Sequence, residues 1–236
     1  MSALTIERYL FTLDARAMPR YTHGEASKYL GLAESTIRAW FTGMPYGTRP
    51  HVRRFEPILK PAASDLLSFY DIASAHVLMA FKAQGVPQSD TRAIVGELES
   101  EFRDSPYPLL GRDFFLFGRD VVIKQVGARL NLSRRRQLGF KKIMDRFLTR
   151  IEVDANLMPV RFSPLRTHRE RSKGFIVIDL DYAAGRPVIR GTGVPAEIIA
   201  KRKGSGESIA YLAKDYRISR LAVAEAVKHF PQRKAA

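Results

Sequence analysis

YTHGEASKYLGLAESTIRAWF, residues 21–41, decides how this chain is read. Ala26, Tyr29 and Leu30 recur at three- and four-residue spacing, so they share one face of a short helix over Gly24 to Leu30. Gly31 is placed to end that helix, because a residue without Cβ enters the left-handed backbone of a helix stop at little cost. Ile37, Trp40 and Phe41 repeat the spacing on the next helix and leave Glu34, Ser35, Thr36 and Arg38 outward. Two short helices joined this way make a helix-turn-helix, whose second helix enters a DNA groove. A second such pattern, ESIAYLAKDYRISRLAVAEAVKHF, occupies residues 207–230.

The composition around these units narrows the partners. Of 236 residues, 39 are Lys or Arg and 24 are Asp or Glu, giving a formal charge of +15. Such an excess favours polyanions: DNA, RNA, an acidic protein or an anionic membrane surface. Hydrophobic residues at 45% are enough to build real cores. The absence of cysteine removes disulfides, thiolate metal ligands and thiol nucleophiles. No apolar run is long enough to span a bilayer. The opening MSALTIERYLFTLDARAMPRY lacks a secretory design, so a cytoplasmic location is expected.

Between the two units the expectations are mixed. Met44 to Pro61 is rich in Pro and Arg and reads as a loop or wing. A long helix is expected from Leu66 to Gln84, stopped by Gly85 and Pro87, and another from Ser89 to Phe102 with Ile94, Val95 and Leu98 inward. FFLFGRDVVIK, Phe114 to Lys124, reads as a β-hairpin turning at Gly118-Arg119. Ser133 to Arg150 reads as an amphipathic helix with Phe140, Ile143, Met144, Phe147, Leu148 and Ile151 in one apolar stripe. Its other side carries Arg134, Arg135, Arg136, Lys141, Lys142, Arg146 and Arg150. The polar stretch from Leu165 to Gly174 is the expected main boundary, followed by two short strands and three short helices. The chain then divides into residues 18–104, 105–165 and 174–236. The fold class is mainly α with small β elements: two winged helix-turn-helix units linked by a central α/β region.

Candidate site residues follow from position. Ser35, Thr36 and Arg38 open the recognition helix, where polar side chains reach base edges and Arg can pair bidentately with guanine. A solvated helix face is the alternative. Arg49, Arg53 and Arg54 in the wing are placed to track phosphates. Trp40, the one Trp, fits a packing anchor better than a base stacker. In the second unit Ser219, Arg220 and Lys228 face outward, but Ser219 also stands where an N-cap belongs. DNA reading, dimerisation and protein binding all stay open there. The stripe of Arg134, Arg135, Arg136, Lys141 and Lys142 suits DNA backbone, the acidic metal site of a nuclease, or plain solvent.

Gly191-x-Gly193-x-x-Ala196, with Asp215 downstream, mimics a dinucleotide fingerprint, but too little chain remains for a parallel sheet. The five His show no metal-ligand spacing, and Asp179 and Asp181 have no base or nucleophile beside them. No catalytic residue, metal or cofactor is expected.

Gly24-Glu25-Ala26 through Gly31, with Ser35-Thr36-Ile37-Arg38-Ala39-Trp40, resembles the winged helix-turn-helix of MerR-like regulators, and LSFYDIASAHVLMAFKAQGVPQSDTRAIVGELE resembles the helices after their wing. The stretch between is longer and richer in Pro than the usual wing. The run VIDLDYAAGRPVIRGTGVPAEIIAKRKGSGESIAYLAKDYRISRLAVAEAVKHF resembles a small antitoxin-like winged-helix family of unknown function, whose hallmark is the Gly185 to Thr192 run. Gly193 stands where that family often has Arg. The two halves joined resemble a VapB-type antitoxin of the mycobacterial form. That resemblance implies neutralising a PIN-domain (VapC-type) ribonuclease toxin, repressing a shared operon through double-stranded operator DNA, and assembly as a homodimer. The alternative is a MerR-like transcriptional regulator without a toxin partner.

Overall fold

The computed structural model describes residues 14–46, 51, 53–61, 63, 65–103, 105–164 and 174–231. The architecture is mainly helical with small sheets.

Strand β1 (Tyr21–Thr22) leads into α1 (His23–Leu30). Thr22 caps α1 by accepting from the Glu25 amide at 3.1 Å while Glu25 accepts from the Thr22 amide at 2.8 Å, so two orphan donors are satisfied reciprocally. Gly31 ends the helix at φ 66°. Next comes α2 (Glu34–Thr42), then a hairpin of β2 (Met44–Tyr46) and β3 (Arg53–Phe55), which is the expected wing.

Strand β4 (Leu66–Leu67) corrects one expected boundary. Leu66 and Leu67 pair antiparallel with Thr22 and Tyr21, and the long helix α3 starts only at Phe69 (Phe69–Gln84). Ser68 is the reason, because it forms a capping box with Asp71. Every residue of α3 from Phe69 to Phe81 is buried, which makes it the axle of the fold. Helix α4 (Gln88–Glu101) turns Ile94, Val95 and Leu98 inward.

The expected hairpin at Phe114 to Lys124 is wrong. The segment is one continuous helical run: α5 (Gly111–Asp113), a π-turn (Phe114–Gly118) and α6 (Arg119–Arg129). Its buried residues Phe114, Gly118, Val122 and Val126 fall four apart, a helical stripe hidden by the β-branched run around it. Gly118 serves packing rather than a turn, since a Cβ there would lie 2.7 Å from the Phe114 ring and 3.1 Å from that of Phe102.

Helix α7 (Arg134–Leu148) buries Phe140, Met144, Phe147 and Leu148 against α3. Each such side chain contributes roughly 1.5–3 kcal/mol of burial energy. The helix stops before Arg150, so that residue leaves the expected outer face. Arg150 is buried, with Nη1 donating to the Pro164 carbonyl.

Strands β5 (Ile151–Val153), β6 (Pro159–Phe162), β7 (Ile176–Asp179) and β8 (Val188–Ile189) form an antiparallel sheet in sequence order. An antiparallel sheet rules out the dinucleotide fold that the glycine pattern imitated. Because β6 pairs with β7, the central region and the C-terminal module share hydrogen bonds across the expected boundary; residues 165–173 of that linker lie outside the described ones. Helices α8 (Ala196–Gly204), α9 (Ile209–Asp215) and α10 (Arg220–His229) complete the chain. The second unit docks directly on the first. His229 Nε2 donates to the Tyr29 carbonyl at 2.9 Å, Phe230 meets the Tyr29 ring edge-on, and the Tyr21 hydroxyl donates to the Gly185 carbonyl at 3.1 Å.

Candidate nucleic-acid interface

The first unit presents α2 by its inner face. Ile37, Ala39, Trp40 and Phe41 are buried, and the Trp40 carbonyl accepts from the Ile58 and Leu59 amides at 2.8 and 2.9 Å, which pins the helix to the returning chain. Trp40 is therefore a packing anchor. Ser35 and Arg38 are exposed on the outer face. Arg38 pairs with Glu34 one turn earlier, its Nη2 2.7 Å from the carboxylate. An exposed pair at this spacing contributes only about 0.3–0.5 kcal/mol, so Arg38 can exchange Glu34 for another acceptor at small cost. Thr36 is half-buried and turns toward the scaffold, where it lines a shallow groove with Trp40, Leu78 and Phe81.

His23 sits behind this face, buried, with Nε2 unpartnered among the described residues. Burial pushes its pKa down, and the charge of Arg38 pushes the same way against the opposing pull of Glu34. A neutral His23 adds no positive charge to the recognition helix.

The wing is joined to α2 by Gly43, at φ 74° and ψ −177°, a conformation essentially restricted to glycine. A Cβ at Gly43 would lie 2.1 Å from the Phe55 carbonyl oxygen, so only a bare Cα lets β3 close on the helix end. Arg54 reaches back to the Thr42 carbonyl through both Nε, at 3.0 Å, and Nη2. It thereby ties the wing to the recognition helix. Arg53 is exposed on the hairpin, and Arg49 lies outside the described residues. Reading the sequence missed Tyr46, Phe55 and Arg92. The two rings stack at 4.0 Å, and the Arg92 guanidinium stands 5.6 Å above Phe55 while its Nε donates to the Glu56 carbonyl. Met-Pro-Tyr and Arg-Arg-Phe are too short to show a two-residue alternation, and Arg92 comes from a helix 37 positions beyond Phe55.

The second unit is wired differently. Ser219 caps α10, accepting from the Ala222 amide at 3.1 Å. Arg220 is exposed, while Lys228 is exposed and engaged within the chain. Arg202 joins α8 to α9, donating to Glu207 at 2.6 and 2.7 Å and to Asp215 at 2.6 Å, and lying 5.1 Å from the Tyr216 ring. Asp215, the decoy acid of the glycine pattern, is thus an ion-pair partner.

Arg134, Arg135 and Arg136 open α7 with all three side chains exposed and no acid in the first turn. Cations at the positive end of a helix dipole each cost roughly 0.3–1 kcal/mol. Lys142 is exposed and Lys141 half-buried on the same helix.

Two family models match parts of this chain. Residues 19–95 match the family described as "Putative DNA-binding HTH domain", and residues 176–229 match "Protein of unknown function (DUF433)". The chain is 28% identical over 223 residues to "Putative antitoxin VapB45" of Mycobacterium tuberculosis, covering 86% of this chain and 90% of that protein. The likeness is to a VapB-type antitoxin. Another relative from M. tuberculosis, "Uncharacterized protein Rv2308", is 24% identical with 89% of each chain covered. The crystal structure of Rv2018 from M. tuberculosis shares the fold, with a TM-score of 0.64 at 22% identity over 89% of this chain and 97% of that one. These names are those of an antitoxin and a DNA-binding domain, not of an enzyme. No helix among the described residues is long and apolar enough to cross a membrane.

Proposed function

We propose that this chain is an antitoxin that binds and neutralises a PIN-domain ribonuclease and, as a homodimer, represses its own operon by binding operator DNA in the manner of MerR-like regulators. One observation carries the DNA half: the outer face of α2, with Ser35 and Arg38 exposed, is held rigidly beside a wing bearing Arg53 and Arg54. A recognition helix flanked by a wing engages groove and backbone together. The chain-long likeness to a protein named an antitoxin supports the other half. The arginine cluster opening α7 supports it further. Three exposed cations at the unfavourable end of a helix dipole, with no ion-pair partner among the described residues, are poised for an anionic surface, and a nuclease that gathers carboxylates around Mg²⁺ offers one.

Co-expression with a PIN-domain ribonuclease encoded beside it in the same genome tests the reading. A stable complex and suppressed ribonuclease activity are expected. Failure to co-purify, with ribonuclease activity unrelieved, overturns the antitoxin and leaves a DNA-binding regulator. Operator binding is tested separately by salt titration, with log affinity falling at about −0.9 per phosphate neutralised.

A further inference from the structure

The wing carries an apolar face that groove reading by α2 does not require. Strand register sets Met44 opposite Phe55 and Tyr46 opposite Arg53, so these four side chains share one face of the hairpin. Met44, Tyr46 and Phe55 are 42%, 39% and 40% exposed. The Tyr46 and Phe55 rings are nearly parallel, 22° apart, and form a stiff two-ring plate. Arg53 extends that face, Arg92 flanks Phe55, and neither strand contains a carboxylate. The plate is also fixed in direction, because the Gly43 junction and the Arg54 tether leave the hairpin little freedom relative to α2.

Apolar or aromatic side chains ringed by arginine match one polyanion well: duplex DNA, whose minor groove accepts apolar wedges between base steps while flanking cations neutralise phosphates. We propose that Tyr46 and Phe55 form such a wedge. With α2 in the major groove, the plate presses on a base step of the adjacent minor groove and partly unstacks it, and Arg53 and Arg92 hold the phosphates on either side. This rests on the operator-binding reading above and adds something that reading lacks. Unstacking is cheapest at pyrimidine–purine steps, so the wing would select such a step without hydrogen-bonding any base.

The test uses the full chain and operator duplexes in which 2-aminopurine replaces one base at a time. Bound protein should raise emission several-fold at one step beside the half-site. The double variant Tyr46→Thr/Phe55→Thr keeps strand-forming side chains but removes the rings. It should lose the signal and bind about tenfold more weakly, the size of one lost base stack, while Tyr46→Phe retains both. Unchanged Trp40 emission in the variants shows that the first unit is still folded. Binding by the natural chain with every probe position dark overturns the wedge alone, and so does a double variant with undiminished signal. A natural chain with no operator affinity overturns the wedge together with the DNA reading. Should the double variant instead dissociate a dimer in sedimentation while probe emission stays as in the natural chain, the face belongs to a second copy and the wedge is wrong.

Discussion

The two helix-turn-helix units differ in what their polar side chains are tied to. In the first, Arg38 is exposed and, among the described residues, held by a neighbour on its own helix, and the arginine that is tied down, Arg54, fixes the wing. In the second, Glu207 and Asp215 are held by Arg202 of the preceding helix, and the serine leading α10 is occupied as a cap. The second unit also reaches over to complete the first through His229 and Phe230. One pattern of apolar spacing therefore yields a face offered outward and a brace turned inward. Helical spacing sets which residues are buried, and what each unit packs against sets the use of the rest.

The sharpest way to break this contrast is at the joint that aims the first unit. Gly43→Ala forces a Cβ onto the Phe55 carbonyl in a backbone region that side chains avoid, at a cost of roughly 3 kcal/mol. Thermal melting should fall accordingly, and operator affinity should drop further than Arg54→Ala alone produces.

Acid tests whether the units stand or fall together. His76 of α3 is fully buried between Phe147 and Phe162; Nε2 donates to the Phe147 carbonyl and Nδ1 has no partner among the described residues. Burial pushes its pKa down to about 3. The unfolded chain takes up a proton near pH 6.5, which the folded one refuses. The contribution of neutral His76 is thus complete above pH 6.5 and is lost at about 1.4 kcal/mol per pH unit on the way down to about 3. His76→Leu should flatten that dependence in denaturant titrations. Trp40 emission and far-UV dichroism should move at one midpoint, since the second unit docks on the first at Tyr29; separate midpoints would show that the brace detaches first.

Smaller effects sharpen the assignment. Arg38→Ala should weaken operator binding about tenfold or more, the worth of one bidentate base contact, with Arg220→Ala in the second unit near neutral. Equal losses from both would give the second unit a share of the DNA. Ser219→Ala should cost about 1 kcal/mol of stability, as a lost cap does, with no change in operator affinity measured by anisotropy.

Much of this was legible in the sequence, and what was not has physical causes. The periodicity of Ala26, Tyr29, Leu30, Ile37, Trp40 and Phe41 placed both helices and the turn of the first unit. At Phe114 to Lys124 that signal failed, because Phe115, Leu116 and Phe117 are apolar as well and cover the four-residue stripe, while Val121, Val122 and Ile123 have strand-like branching. Arg150 was misplaced because a helical wheel was carried past the end of its helix. The tether of Arg54 and the ring plate of the wing depend on hairpin register across residues that no local spacing links. Docking of the second unit on the first uses backbone carbonyls of Tyr29 and Gly185, acceptors that every residue possesses.

That docking has a temporal side. Tyr21 and Tyr29 leave the ribosome early, yet their partners at Gly185 and His229 are added 164 and 200 residues later. Long-range closures of this kind are made last and slowly. A nascent or prematurely ended chain would display the recognition helix before its brace exists. Under the proposed reading, competence to hold an operator would be coupled to finishing translation, since a message broken partway yields a product whose first unit lacks these contacts.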